Sequence, residues 1–326
     1  MEYVRFGRSA LRISRIGVGA MGFGNRSWRN WVLEEESARP ILRAAVEAGI
    51  NLVDTCDFYS SGASESMLGS LLWEYASRDA IVLATKLGNP MGKHPNARGY
   101  SRKHILNAVD ASLTRLKTDY IDLLQTHVWN PDTDLEELVI AFDDLVRSGK
   151  VRYVGATTMP AWAFVQCVNL AKQMGRTPFS SMQCEYNVCH REAERELIPF
   201  CRTYDIALIP FSPLARGFLC ADRRDADKST ARHESDDYTL KHYHRPADFA
   251  ALECVSRIAM KRGIEPSQVA LAWTLAQPGI TSPIFGATQV QHVTSAIAAL
   301  NLKLDEDDLK ALDATYAVRP LSAKGH

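Results

Sequence analysis

The 326-residue chain has no apolar run of 18 residues, no excess of either charge and no C-x-x-C pair. The first absence argues against a membrane-spanning helix. The second, with Lys plus Arg and Asp plus Glu at 38 each, gives no sign of the concentrated basic face that a nucleic-acid partner requires. Its seven cysteines, at 56, 167, 184, 189, 201, 220 and 254, are odd in number and scattered. Neither a disulfide framework nor a cysteine zinc site is therefore expected, and reduced thiols point to the cytoplasm. The opening MEYVRFGRSALRIS lacks the apolar stretch of a secretory signal. No linker or break in composition divides the chain, so one domain over 1–326 is expected.

What is present is a large hydrophobic share, 46%, arranged in alternating short and long patterns. Short apolar runs at Ile16–Met21, Ile50–Thr55, Ala80–Lys86, Tyr120–His127, Val151–Thr157, Phe179–Tyr186, Ile206–Ser212 and Ser282–Ala287 read as strands. Stretches of helical period lie between them, and Ser64, Ser101 and the acidic residues from Asp134 supply start signals. Helices are also expected over Pro160–Gln173, Glu192–Tyr204, Asp248–Lys261 and Pro266–Gln277. Two more are expected after the last strand, from Val290 and from Asp305. Eight strands at a spacing of roughly 35 residues predict a closed (β/α)8 barrel rather than an open doubly wound sheet. Residues 3–14 read as a small hairpin turning at Gly7 to Ser9, placed to close the barrel bottom. Cys220–Ala247 is long, polar and without period, and follows strand seven on the face where barrel active sites lie. It is expected to be a lid.

The stretch GVGAMG, Gly17 to Gly22, fits the G-x-G-x-x-G of a dinucleotide-binding turn. That motif requires a helix immediately after it, and an acidic residue about 20 positions on. The glycine- and tryptophan-rich FGNRSWRNWVLEEES follows instead, and the next helix begins only near Ser37. No helix N-terminus is there to meet a pyrophosphate at Gly22. The glycines end a strand where backbone must run close to a neighbour.

Four residues at strand ends carry chemistry. Asp54 ends strand two, Tyr59 lies in the loop after it, Lys86 ends strand three and His127 ends strand four. Taken singly, each has a plain structural reading: a turn cap, a solvent-reaching lysine, a packed tyrosine, a satisfied core histidine. In a barrel all four gather at the C-terminal mouth. There an ammonium is expected to favour the phenolate and lower the Tyr59 pKa, and a carboxylate to keep that ammonium charged. An imidazole beside the phenol orients a substrate oxygen. The set delivers a proton to a carbonyl oxygen and supplies no reducing equivalents, so a hydride-donating cofactor is implied.

These residues, the stretch G-I-N-L-V-D-T-x(9)-E-x-x-L-G from Gly49 to Gly69, and the runs GYSRKHI, LKTDYIDLLQTH, GKVRYVGATTM and PFSPLARGFL resemble an aldo-keto reductase. The similarity is to the branch with aryl-alcohol dehydrogenase-like and potassium-channel β-subunit-like members. It implies reversible reduction of an aldehyde or ketone, bulky and apolar or aryl, with Tyr59 as general acid/base and Asp54, Lys86 and His127 completing a tetrad. It further implies NADPH, with NADH as the alternative, lying across the barrel mouth. Gly19, Ala20, Met21 and Asp54 would border the nicotinamide, Thr157, Thr158 and Gln183 would hold its carboxamide, and Phe211 would stack beneath it. Ser212, Leu214, Arg216 and Gly217 would cradle the pyrophosphate. Gly286, Thr288, Gln289 and His292 would meet the adenosine end. Gln289 and His292 stand where the family commonly has Lys or Arg, a departure that bears on the 2′-phosphate. A regulatory β-subunit with weak turnover is the alternative function. Trp28, Trp31 and Trp129 fall in loops at the mouth and are expected to line the substrate pocket. His233, Glu234, His242 and His244 lack metal-ligand spacing, and no metal is expected.

Overall fold

The computed structural model describes residues 1–220 and 236–318. It opens with an antiparallel hairpin of β1 (Tyr3–Arg5) and β2 (Arg12–Ser14). Gly7 turns it at a φ of +54°, where a Cβ would fall 2.5 Å from the Asp205 carbonyl oxygen, so glycine alone fits.

Eight parallel strands follow. They are β3 (Gly17–Gly19), β4 (Leu52–Asp54), β5 (Val82–Leu87), β6 (Ile121–Thr126), β7 (Val151–Thr157), β8 (Phe179–Gln183), β9 (Ala207–Leu208) and β10 (Ile284–Phe285). Their hydrogen-bonded order runs β10-β3-β4-β5-β6-β7-β8-β9. Bridges from Leu208 to Ile280 and from Phe211 to Ile284 join the ends, and the sheet closes into a (β/α)8 barrel.

The two-residue alternation of strands explains what fills it. Leu52, Val82, Ala84, Leu123, Ala207, Ile209 and Ile284 form one apolar cluster, with Phe6 and Ile13 of the hairpin packed into it. Their odd-numbered or even-numbered neighbours Val53, Leu83, Leu124, Val154 and Ala156 belong to the larger cluster under the helices. Continuing upward in steps of two leads from Leu52 to Asp54, from Ala84 to Lys86, and from Leu123 through Gln125 to His127. The strands thus carry an apolar bottom and a polar top.

The helices between them are α1 (Glu35–Glu47), α2 (Ala63–Tyr75), α3 (Arg102–Leu116), α4 (Leu135–Arg147), α5 (Ala161–Gln173) and α6 (Leu197–Tyr204). After β9 come α7 (Asp237–His242), α8 (Pro246–Arg262), α9 (Pro266–Ala276), α10 (Val290–Ala299) and α11 (Glu306–Asp313). Ser101 caps α3 by accepting the His104 N–H, Asp134 caps α4 through the Glu136 and Glu137 N–H groups, and Asp305 caps α11 through Asp308.

Three features differ from the sequence reading. Ser64, expected to start α2, lies inside it, and its hydroxyl donates instead to the Ala20 carbonyl oxygen at 2.8 Å. The helix expected over Glu192–Tyr204 is a 3-10 turn, Glu192–Glu194, followed by α6. Pro199 lacks an N–H and its ring blocks the carbonyl four residues back, so the helix starts only two residues before it. Within Cys220–Ala247, expected to lack regular structure, Asp236 caps α7 and Pro246 opens α8 at a position where its missing N–H costs nothing. His233 and Glu234 lie outside the described residues. Among those described, no helix is long and apolar enough to cross a membrane.

Candidate active site

The ends of β4, β5 and β6 bring Asp54, Lys86 and His127 together, and the loop after β4 adds Tyr59. Lys86 Nζ lies 2.5 Å from Asp54 Oδ2, 2.8 Å from the Thr55 carbonyl oxygen and 3.5 Å from the Tyr59 hydroxyl. The ammonium is therefore held from below by an anion and a carbonyl, and faces the phenol above. Asp54 Oδ1 accepts two further bonds, from Gln125 Nε2 at 3.2 Å and Gln183 Nε2 at 3.0 Å. A buried carboxylate needs such partners to remain ionised. The Tyr59 and His127 rings meet edge to face, with centroids 5.6 Å apart.

Burial governs the electrostatics more than the sequence suggested. The Tyr59 phenol was expected to be acidified by Lys86, yet its pKa is pushed up to about 12, because burial outweighs the opposing ammonium. Lys86 is held above the ordinary lysine value: burial works against its charge, but Asp54 and Tyr59 more than compensate. The imidazole of His127 is driven down to about 3 by burial and by Lys86. At neutral pH the site holds a protonated phenol, an ammonium and a neutral imidazole.

His127 is gripped from three sides. Its Nδ1 lies 2.6 Å from Asn89 Nδ2 and 3.0 Å from Cys56 Sγ. Its backbone N–H donates to the Tyr100 hydroxyl, at 3.0 Å, and to the Leu87 carbonyl oxygen. Tyr100 fits against the chain there because Gly88, at a φ of +122°, has no Cβ; one would fall 2.4 Å from the Tyr100 hydroxyl. Asn89, Cys56, Tyr100 and Gln125 escaped the sequence reading. Only Gln125 carried a signal, two residues before His127 and so on the same face of β6.

Around this centre the backbone is strained. Left-handed φ values at non-glycine residues fall at Ser60, Ser61, Thr158, Ser212, Ala215 and Arg216. The two others among the described residues, Lys117 and Asp205, sit at helix ends where this conformation is ordinary. Strain of this kind collects where the chain must hold a ligand. In the segment after β9, Ser212, Ala215, Arg216 and Gly217 all have positive φ, and nothing lies within 4 Å of a Cβ built on Gly217 or on Gly286. Within the turn the Ala215 and Gly217 N–H groups donate to the Ser212 and Leu214 carbonyl oxygens, at 2.9 Å each, and Pro213 has no N–H. The open space beside Gly217 leaves room for a pyrophosphate-bearing cofactor.

The remaining expected contacts are placed as follows. Gly19 packs so closely on β10 that a Cβ would meet Ile284 at 2.9 Å, and Ala20–Gly22 form a 3-10 turn rather than a helix N-terminus. Thr157 is buried at the end of β7, Thr158 is exposed beside it, and Phe211 is half-buried. Arg216 is engaged by the buried Asp236 at 2.9 Å, and its guanidinium lies over the Tyr238 ring. Thr288, Gln289 and His292 are exposed at the start of α10, and His292 Nδ1 accepts the Thr288 N–H at 3.2 Å. Partial desolvation of its ring lowers the His292 pKa, with Glu265 opposing. Trp28 packs on Phe58 and Tyr59, with centroids 5.9 and 6.3 Å apart. Trp129 meets the exposed Trp162 edge to face, and Trp31 is buried under Arg29. Among the described residues no three His, Cys, Asp or Glu side chains are grouped to hold a metal ion.

Residues 15–317 match the model of the aldo/keto reductase family. The chain is 39% identical to versiconal hemiacetal acetate reductase of Aspergillus parasiticus, over 98% of each chain. It is 38% identical to a protein named as an aryl-alcohol dehydrogenase in Schizosaccharomyces pombe, over 99% of this chain and 97% of that one. It is also 38% identical to an aldo-keto reductase of Fusarium vanettenii, over the whole of this chain and 93% of the other.

Proposed function

Because the chain belongs to the aldo/keto reductase family, we propose that it reversibly reduces a bulky apolar or aryl aldehyde or ketone to the alcohol, with NADPH as the reductant. The observation that carries this reading is Lys86 Nζ held between the Asp54 carboxylate and the Tyr59 hydroxyl. When bound, the nicotinamide would supply the hydride that the carbonyl carbon takes up. Everything else falls to the chain. Tyr59, protonated throughout the neutral range, gives its proton to the carbonyl oxygen as negative charge builds there. Lys86 stabilises the phenolate left behind, and Asp54, held by Gln125 and Gln183, keeps Lys86 charged. His127 aligns the carbonyl oxygen beside the phenol. In this reading Thr157, Thr158 and Gln183 would hold the carboxamide, Phe211 would support the ring, and Ser212 to Gly217 would receive the pyrophosphate.

Trp28, packed on Phe58 and Tyr59, favours a flat substrate, in keeping with the relative named as an aryl-alcohol dehydrogenase. NADH is the second reading for the cofactor. Gln289 is neutral, His292 is committed through Nδ1 to Thr288, and Arg216 is committed to Asp236. A 2′-phosphate finds its best partner in a free Arg or Lys.

The test is loss of reduced-nicotinamide absorbance with a panel of aryl and alkyl aldehydes and ketones, run separately with NADPH and NADH. Tyr59→Phe is expected to lower kcat by about 10²–10⁴-fold, while the cofactor Kd, read by quenching of tryptophan fluorescence, changes less than about twofold. A variant that keeps most of its turnover removes Tyr59 as the acid.

A further inference from the structure

The tetrad names His127 but leaves open which of its two nitrogens carries the proton, and that decides whether it can help. A neutral imidazole donates through one nitrogen and accepts through the other. To align a carbonyl oxygen it must donate from the nitrogen facing the mouth. The tautomer is fixed by whatever the other nitrogen meets.

Nδ1 of His127 meets the Asn89 amide nitrogen, a hydrogen-bond donor, at 2.6 Å, and the Cys56 sulfur, whose thiol proton goes to Asp57 Oδ1, at 3.0 Å. An amide nitrogen has no lone pair to offer, so Nδ1 is the acceptor and the ring proton resides on Nε2. Nε2 makes no hydrogen bond among the described residues. Asn89 is itself placed by the backbone: β5 ends in Lys86–Leu87, and Gly88 turns the chain at a positive φ so that Asn89 reaches across to β6.

We propose that Asn89 is a positioning residue of the reaction, locking His127 in the Nε2–H tautomer so that Nε2 presents a hydrogen-bond donor to the substrate oxygen. Cys56 is the weaker second contact on the same nitrogen. The inference rests on the reductase reading for its consequence, but not for its measurement.

The lock predicts a reversal. In Asn89→Asp the acceptor oxygen replaces the amide donor, the proton moves to Nδ1, and Nε2 becomes an acceptor that faces the carbonyl oxygen with a lone pair. The carboxylate also raises the His127 pKa, since opposite charge favours the imidazolium. The imidazolium donates from both nitrogens, so acid restores the lost donor. The other ionisable groups around the ring are Tyr59, Lys86 and Cys56, with Tyr100 on its backbone. None of them is changed.

The experiment is ¹⁵N NMR of histidine-labelled protein without substrate or cofactor, with His127 assigned by loss of its signals in His127→Phe. The native protein is expected to show an acceptor-type Nδ1 and a protonated Nε2, and Asn89→Asp the reverse. In the assay, Asn89→Asp is expected to lower kcat/KM for a carbonyl about 100-fold at pH 8, the scale of losing one donor to a developing oxyanion, and to recover as pH falls while the native profile stays flat there. A native Nδ1–H overturns the proposal without any variant. So does an Asn89→Asp protein with the native tautomer or a native pH profile. The expected spectrum in a protein that turns over no carbonyl defeats the reductase reading and leaves the tautomer assignment standing.

Discussion

Asp57 lies two residues from Tyr59 and takes no part in the tetrad, yet it is fully buried and only half satisfied. Its Oδ1 accepts the Cys56 thiol at 3.3 Å, while Oδ2 has no partner among the described residues. Burial, and then the neighbouring Glu65, push its pKa up to about 7; the Cys56 hydrogen bond and Arg115 oppose this only in part. The folded protein therefore binds this proton more tightly than the unfolded chain does. Below about pH 4 both states are protonated and Asp57 is neutral to stability. As pH rises towards 7 the unfolded state releases its proton first, and stability falls. Asp57→Asn keeps an acceptor for Cys56 and removes the ionisation. It is expected to be more stable than the native protein by about 1–3 kcal/mol at pH 8, a gain that shrinks to nothing near pH 4, as read from urea unfolding at the two values. Tyr59 and His127 make the same point in opposite chemical directions: burial raised an acid and lowered a base. Residue types and strand-end positions identified the tetrad, but burial cannot be weighed before the fold is closed, and the expected acidification of Tyr59 was for that reason reversed.

At the scale of elements, the Gly49–Gly69 stretch divides between chemistry and packing. Asp54 and Tyr59 belong to the proposed site, whereas Glu65, wholly buried in α2, accepts the Thr85 hydroxyl at 2.6 Å and pairs with Arg115 of α3 at 2.7 Å. Gly69 lets α2 press on the end of α3: a Cβ there would fall 2.3 Å from the Arg115 carbonyl oxygen. A run of residues that marks the family thus fixes the helix pair flanking the loop of Tyr59 as well as Tyr59 itself. Local signals were most legible where they act locally. Ser101, Asp134 and Asp305 each cap the helix the sequence assigned them. Asp134→Ala is expected to cost about 1 kcal/mol by exposing two unpaired N–H groups, measured as a shift in the denaturation midpoint with kcat/KM unchanged. Legibility failed where a helix depends on distant partners. Asp236–His242 has no strong period of its own; it is held by Arg216 on Asp236 and by Tyr238 on Glu185 at 2.7 Å.

For the whole molecule, each inner strand face grades from apolar to polar, and the hairpin closes the apolar end. Phe6 is fully buried among Leu52, Leu123, Ala207 and Ile284, with its ring 5.9 Å from that of Tyr153. Phe6→Ala is expected to destabilise the protein by about 3–5 kcal/mol, read from chemical denaturation, and to leave kcat/KM within about threefold, since the cavity forms at the far end of the barrel from Tyr59. A large loss of activity in a variant that remains folded would mean that the bottom cluster sets the geometry of the mouth. The sequence by itself determined the barrel and pointed to Asp54, Tyr59, Lys86 and His127 as the proposed tetrad, because alternation along strands, periodicity along helices and side-chain chemistry are written in consecutive residues. Only the tertiary structure decided the protonation of the phenol and imidazole, the commitment of Arg216 to Asp236, and the contact of Asn89 with His127. Each of those depends on what burial removes from water and on which side chains meet across separate strands, and neither is fixed until the barrel closes.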